Sequence, residues 1–352
     1  MRILLTSCCL IGLLLSQTHT DAKILFVSED PLTDRRFLYV MDDDGGNVTL
    51  LSHQDFAGTP RWSPDGKQIV FDKRTKKNSN EFHIFIMDAD GTDARQLTIS
   101  NRNRQPSFSP DGKSIIFSGL EWTPDGNDFV RYICLMELES GNVKKIADVD
   151  SNDPTFSPDG RYIVFSGIPS FGRSGANVWM MGADGRNLQE LLPPLPQDLP
   201  HLHRFFPIIS LDGTQLLYSE SVITYKQVGN TTYMVLQANR YFVYDLITGR
   251  SQQLKIPKDY KGAGLDWMDG NKAIVFSAFR TKLDDWPKPG DDDWQPQEEK
   301  YDLYKYDIWT QEITLLKEDM IDSLLFPDWI SDDVLSVTPI DKNKVTWGEI
   351  KQ

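Results

Sequence analysis

QPSFSPDGKSIIFS, residues 105–118, carries the pattern that decides the fold. Its centre is an aromatic residue followed by Ser-Pro-Asp-Gly. The same pentapeptide returns as WSPDG at 62–66 and FSPDG at 156–160. In each copy Pro presets φ for the second position of a turn, Asp can bond nearby backbone N–H groups, and Gly takes the left-handed conformation at the exit. The Ser or Asp side chain can cap the same turn. The motif therefore predicts a compact hairpin. An apolar strand follows each copy: KQIVF, KSIIFSG and RYIVFSG. Near-continuous apolar runs are what strands covered on both faces show. The aromatic ahead of the turn (Trp62, Phe108, Phe156) is expected to pack between neighbouring units.

A third, alternating strand and a second Gly-containing turn complete the unit, as in EFHIFIMDADGTDARQLT (Glu81–Thr98), RYICLMELESGNVKKIAD (Arg131–Asp148) and NVWMMGADGRNLQELLP (Asn177–Pro193). Each unit thus reads as four short strands. Degenerate copies continue the series: ISLDGTQLLYSE (Ile209–Glu220) before RYFVYDLITGRSQQLKI, LDWMDGNKAIVFSA (Leu265–Ala278) before YDLYKYDIWTQEITLLK, and finally FPDWISDDVLSV (Phe326–Val337). The turn aspartates are Asp65, Asp111, Asp159, Asp212, Asp269 and Asp332, spaced 46, 48, 53, 57 and 63 residues apart. Periods of this size with four strands each predict an all-β, six-bladed β-propeller. KILFVS (Lys23–Ser28), RFLYVMDDDGG and NVTLLS read as a blade without its first strand. FPDWIS (Phe326–Ser331) reads as a first strand without partners. If the two ends share a blade, the ring closes and two exposed edges disappear. VLSV (Val334–Val337) competes for the place of KILFVS. EWTPDG (Glu121–Gly126) mimics the repeat but falls between strands, so it is read as a turn in an insertion.

Composition bounds the rest. The chain has 352 residues, 39% hydrophobic and 25% charged, with net charge −14. That charge repels phosphate backbones and disfavours nucleic acid as a partner. It also disfavours acid polysaccharides unless a cation bridges. Arg2 followed by the 13 apolar-rich residues Ile3–Leu15 reads as a secretory signal peptide, residues 1–22, too short to span a bilayer. Residues 23–352 are then one exported propeller domain, periplasmic or secreted, without membrane insertion and expected to be monomeric. Cys8 and Cys9 lie inside the apolar stretch, which argues against lipidation there. Cys134, the remaining cysteine, sits among apolar neighbours and is expected on a buried strand. The paired aspartates of DADG (Asp88–Gly91) and DDDG (Asp42–Gly45) raise a calcium reading, but they lack the twelfth-position Glu and the flanking helices of an EF-hand. Hairpin turns are preferred.

The pattern F/W-S-P-D-G-K/R-x-I-x-F, followed by I-x-x-M-D-x-D-G and L-T, resembles the repeat of TolB-type β-propellers. The likeness is clearest in Gln105–Ser118 and in HIFIMDADGTDARQLT (His83–Thr98). It implies an exported TolB-like propeller and is specific for fold rather than activity. TolB itself carries an α/β domain ahead of its propeller, whereas here the repeats begin directly after the apolar leader.

Candidate sites lie where the repeat breaks. Some TolB-like propellers precede a serine hydrolase domain, but G-x-S-x-G is missing and FGRSGAN (Phe171–Asn177) does not supply it. The sialidase repeat S-x-D-x-G-x-x-W is missing too. QDLPHLHRFF (Gln197–Phe206) concentrates histidines. On a strand, His201 and His203 fall on one face about 7 Å apart, close enough for one divalent cation to bridge. The stretch loosely resembles the metal-site region of oligogalacturonate lyases. The acidic insertion TKLDDWPKPGDDDWQPQEEK (Thr281–Lys300) carries Trp286, Trp294, Asp291 and Asp292 as candidate ligand contacts. SVITYKQVGNTTYMVLQAN (Ser221–Asn239) lengthens the fourth unit, with an extra hairpin around VGN and a glycosylation sequon at Asn230. The preferred reading is a non-enzymatic module binding an envelope protein or glycan over one ring face. The alternative is a cation-dependent polysaccharide lyase using His201 and His203.

Overall fold

The computed structural model describes residues 22–30, 33, 35–52, 56–75, 81–99, 102–122, 129–168, 175–196, 201–228, 231–281, 300–318 and 322–335. The 24 strands run as successive antiparallel meanders. They are β1 (Lys23–Asp30), β2 (Arg35–Asp42) and β3 (Thr49–Ser52); β4 (Ala57–Trp62), β5 (Gln68–Arg74), β6 (Phe82–Asp88) and β7 (Arg95–Gln96). Next come β8 (Arg102–Phe108), β9 (Ser114–Trp122), β10 (Phe129–Glu137) and β11 (Val143–Ala147), then β12 (Asp150–Phe156), β13 (Tyr162–Ile168), β14 (Asn177–Gly182) and β15 (Gln189–Glu190). β16 (Leu202–Ile209), β17 (Gln215–Val228), β18 (Thr231–Asp245) and β19 (Arg250–Gln253) precede β20 (Tyr260–Met268), β21 (Ala273–Arg280), β22 (Asp302–Asp307) and β23 (Ile313–Lys317). β24 (Ser323–Ile330) and the four-residue α1 (Asp332–Leu335) end the described chain.

They form six four-stranded sheets. β4–β7 make blade 1 and β20–β23 make blade 5, while blade 6 has the order β24-β1-β2-β3. β24 pairs antiparallel with β1, from Lys23↔Ile330 to Glu29↔Ser323. The expected sharing of one blade by the two ends is therefore what closes the ring. VLSV does not displace KILFVS: Val334 and Leu335 lie in α1, where Leu335 packs over the Gly66 turn. EWTPDG falls in the connection between β9 and β10, and its residues 123–128 lie outside the described set.

The core is six interfaces rather than one centre. Val70, Ile84 and Ile86 of blade 1 pack with Phe108, Ile115 and Phe117 of blade 2. Ile69 and Phe71, on the other face of β5, pack with Leu25, Val27 and Leu38 of blade 6. Every second strand divides its apolar side chains between two neighbours in this way, which is why IVF, IIF and IVF carry no polar face. All six of these residues on β5 and β9 are at most 1% exposed. Trp62, Phe108 and Phe156 each contribute to an interblade cluster, as their place ahead of the turn predicts.

The SPDG turn is a closed hydrogen-bond device. Ser63 Oγ donates to Asp65 Oδ1 (2.7 Å) and accepts from the Gln68 amide (2.9 Å), while Asp65 Oδ1 accepts from the Lys67 amide (3.1 Å). Ser109/Asp111, Ser157/Asp159 and Ser210/Asp212 repeat it. The Ser109 hydroxyl, working against partial burial, holds the Asp111 carboxyl below the usual carboxylate range.

The second turn has a different task. Gly91 has φ +86°, and a Cβ there would stand 1.9 Å from the Leu51 carbonyl oxygen of blade 6. Gly45 meets the Leu316 carbonyl of blade 5, and Gly185 meets the Ile146 carbonyl of blade 2, in the same way. The glycine of D-x-D-G is therefore where one blade's hairpin touches the backbone of the blade before it. Asp90 accepts from the Thr92 amide and hydroxyl (2.9 and 2.6 Å), a turn cap, as the hairpin reading expects.

Candidate functional site

The first strand of each blade lines the central axis and breaks its ladder midway. The breaks lie between Gly58 and Arg61, Arg104 and Ser107, Asn152 and Thr155, Phe205 and Ile208, and Gly262 and Leu265. At the breaks Thr59, Gln105, Asp153, Phe206 and Phe326 have positive φ, and each precedes a proline. Gly264 holds the corresponding place in blade 5. Proline suits a bulge because the ladder asks no N–H of it there. This second repeated signal, a Pro three residues before the turn Ser, was present in TPRWSPDG, QPSFSPDG and DPTFSPDG and was missed in favour of the turn itself.

The bulges aim polar groups across the blade boundaries, and six bridges encircle the axis. Asp72 Oδ2 accepts from the Gln105 amide (2.9 Å) and from Thr59 Oγ1 (2.7 Å). Gln105 and Asp153 bond reciprocally, at 2.9 and 3.2 Å. Asp153 accepts from the Phe206 amide. Trp267 Nε1 donates to the Ile208 carbonyl (3.0 Å). Asp266 Oδ2 accepts from the Trp329 amide (2.8 Å), and Asp328 Oδ2 from the Trp62 amide (2.6 Å). Arg61 closes the set with an ion pair to Asp328 at 3.1 Å. Thr59, Arg61, Gln105, Asp153 and Phe206 leave a residual cavity of ≈ 10 Å³, about one water molecule.

The electrostatics follow from this crowding. Burial lifts the Asp153 carboxyl to about 6, although Arg61 and Arg104 pull against it. Burial also raises Asp266 and Asp328; the adjoining Asp328 charge lifts Asp266 further, and Arg61 opposes both shifts. A folded-state pKa above the unfolded one means that the ring binds these protons more tightly than the open chain. Their contribution to stability is full below about pH 4 and is lost as pH rises, through about 6 for Asp153 and about 8 for Asp266. Asp153→Asn should flatten the decline of the thermal midpoint between pH 4 and 6. An unchanged slope would show that Asp153 is solvated.

The meander gives the ring two unlike faces. All SPDG-type and D-x-D-G-type turns lie on one. The connections between second and third strands, and those between blades, emerge on the other. The arm that lengthens the fourth blade stands on this second face. β17 and β18 run 14 and 15 residues, and pairing continues from Ile223↔Leu236 to Val228↔Thr231, beyond the last β16 partner at Val222. Six further residue pairs make a hairpin arm roughly 20 Å long. Tyr225 on it is 65% exposed. The extra hairpin expected around VGN is present, with residues 229–230 outside the described set.

The histidine stretch divides. His201 is exposed, while His203 is half-buried on β16, stacked on Phe205 with ring centroids 5.5 Å apart. Burial and the neighbouring His201 lower the His203 pKa. His203 Nδ1 accepts from the Ala176 amide (3.2 Å). That bond fixes the neutral ring's proton on Nε2, so the free edge offers an N–H rather than a lone pair. Metal-ligating histidines show the reverse, donating from the second nitrogen. As oriented, the His203 edge offers no lone pair to a divalent cation, and among the described residues there is no group of three or more His, Cys, Asp or Glu side chains that could hold one. Arg204, next in sequence, is the anchor that sequence reading overlooked. It reaches Glu220 (3.0 Å), Asn177 Oδ1 (2.9 Å) and the Pro193 carbonyl (2.6 Å), tying blade 4 to blade 3. Trp286, Asp291, Asp292 and Trp294 lie outside the described residues, as do Gln197 and the apolar leader through Asp21. Cys134 is buried on β10, and burial pushes its thiol up to about 11. Among the described residues no helix is long and apolar enough to cross a membrane.

Comparisons with known proteins agree with this geometry. Residues 18–127 match the family described as TolB beta propeller domain. No curated protein matches the chain by sequence. In structure the chain is similar to TolB from Acinetobacter baumannii (17% identity, TM-score 0.64, 88% of this chain and 67% of that one). It is also similar to hydrazine synthase from Kuenenia stuttgartiensis (14%, TM-score 0.66, 89% and 47%). A third similar structure is an oligogalacturonate lyase in complex with manganese (12%, TM-score 0.51, 80% and 70%). The chain spans about half the length of the hydrazine synthase chain. At these identities the likeness is one of fold, which unrelated proteins share. Residues 18–127 thus match the TolB beta propeller family, and the sixfold ring as a whole shares the TolB-like β-propeller fold.

Proposed function

We propose that this chain is a non-enzymatic binding module of the cell envelope that engages a protein partner over the face bearing the insertions. One observation carries this reading. A described departure from the repeat, the projecting β17–β18 arm, stands on that face, while the opposite face repeats its turns. Loops placed by a rigid scaffold are where recognition concentrates. A photo-crosslinker at Tyr225 is expected to trap a defined envelope protein that one at Trp309, on the turn face, does not. Equal trapping at both positions, or turnover of a substrate with no capture, would sink the reading.

The competing reading is a cation-dependent lyase. It rests on the H-x-H stretch near the axis and on the fold shared with a manganese-bound oligogalacturonate lyase. Elemental analysis of purified protein decides between them. We expect no stoichiometric Mn, Ca or Zn. One bound metal per chain that disappears in His201→Ala/His203→Ala would favour the lyase.

A further inference from the structure

In a chain of net charge −14, three arginines gather in one sector of the insertion-bearing face, with Glu81 and Glu121 at its edges. Arg74 ends β5, and Phe82, its direct cross-strand partner, begins β6. Arg102 and Arg104 begin β8, two residues apart on one side of the strand. Each guanidinium lies over an aromatic ring. Arg104 sits 4.3 Å and Arg74 5.6 Å from the Phe82 centroid, so two cations share one ring. Arg102 sits 5.2 Å over Trp122, at the end of β9. Trp122 is 54% exposed, and the Arg104 side chain is 46% exposed. Asp72 stands 3.8 Å behind Arg104 and offsets part of its charge. Arg104 also acts on Asp153, which puts the sector beside the axial mouth.

The arrangement has two consequences. Stacking holds Arg102 and Arg104 by their flat faces, which limits rotamer freedom and leaves N–H edges able to fork a carboxylate. Arginine, tryptophan and phenylalanine together are also the composition that protein interfaces favour, arginine and tryptophan above all at their energetic centres. A long polyanion would extend beyond the patch into the field of the acidic remainder. A short acidic segment would stay within about one Debye length, ~8 Å, of the arginines.

We infer that Arg102 and Arg104, seated on Trp122 and Phe82, form a docking site for a short acidic segment of a protein partner. This inference rests on the ring-face reading above and adds to it the chemistry of the partner.

Fluorescence anisotropy with labelled octaglutamate tests it on the full chain, with octaglutamine as the neutral counterpart. Octaglutamate should bind and octaglutamine should not. Binding should weaken at least tenfold in Arg102→Gln/Arg104→Gln and again between 50 and 500 mM NaCl, while Arg186→Gln, on the turn face, leaves it unchanged. Because Arg104 touches buried Asp72, Arg102→Gln alone is measured beside it with circular dichroism as the folding check. It should weaken binding at least threefold, and Arg102→Lys should recover part of that loss. Failure of octaglutamate to bind, or binding indifferent to these substitutions, overturns the inference. So does tighter binding of a galacturonate oligomer, which would mark a glycan site. Partner capture at Tyr225 that persists unchanged in Arg102→Gln/Arg104→Gln removes the acidic-docking inference alone and leaves the ring-face reading standing.

Discussion

Arg61→Ala is expected to destabilise the ring by about 3–5 kcal/mol at pH 7, the usual consequence of leaving a buried carboxylate without its cation. Three carboxylates face Arg61: Asp328 directly, with Asp266 and Asp153 close enough to stabilise its charge. Removing the guanidinium leaves all three buried without it. Their proton affinity then rises further, so the loss should shrink at pH 5, where protonation relieves the repulsion. Adding Asp328→Asn should recover part of the stability, because it removes the charge that Arg61 balanced. Guanidinium denaturation of the two single variants and the double variant gives the coupling. A cost under about 1 kcal/mol would mean that water reaches the axis and screens the cluster.

Gly91→Ala is expected to cost about 2–5 kcal/mol, from backbone strain at positive φ plus overpacking against a neighbouring strand. Its added Cβ would meet the Leu51 carbonyl oxygen at 1.9 Å, and a backbone oxygen cannot rotate away as a side chain can. Gly141 supplies the control. It occupies the matching turn of blade 2 with φ +69° and nothing within 4 Å of a Cβ. Gly141→Ala therefore carries the conformational strain alone, about 1 kcal/mol. Similar thermal midpoints for the two variants would show that blade 1 yields at its contact with blade 6.

Much of this architecture was legible because it is repeated. One SPDG is a turn; three at regular spacing, each followed by an apolar strand, are blades. Ring closure was legible from what the two ends lacked. The axial circuit was not, because its residues look ordinary one at a time. Asp72 lies on a second strand while Asp266 and Asp328 share one first-strand position, and only the closed ring brings each to its neighbour's backbone. The arginine sector escaped notice for a similar reason. Arg74, Phe82, Arg102 and Trp122 come from three separate stretches, and a net charge of −14 gives no hint that cations gather anywhere. Conversely, H-x-H invited a metal reading because spacing says nothing about tautomer. The amide of Ala176, a contact from another blade, decides which nitrogen carries the proton.

The pairing of β1 with β24 also sets an order of events for the newly made chain. Blades 1 to 5 are local meanders and can assemble as they emerge. β1 must wait for a partner near residue 330. At typical synthesis rates of about 5–20 residues per second, that delay is on the order of 15–60 s. Throughout it, the unpaired edge and the apolar flanks of Leu25, Phe26 and Val27 are open to other chains. Assembly speed is then governed by one late, long-range event. Chaperone demand, and the fate of prematurely terminated products, should both track the arrival of Ser323–Ile330.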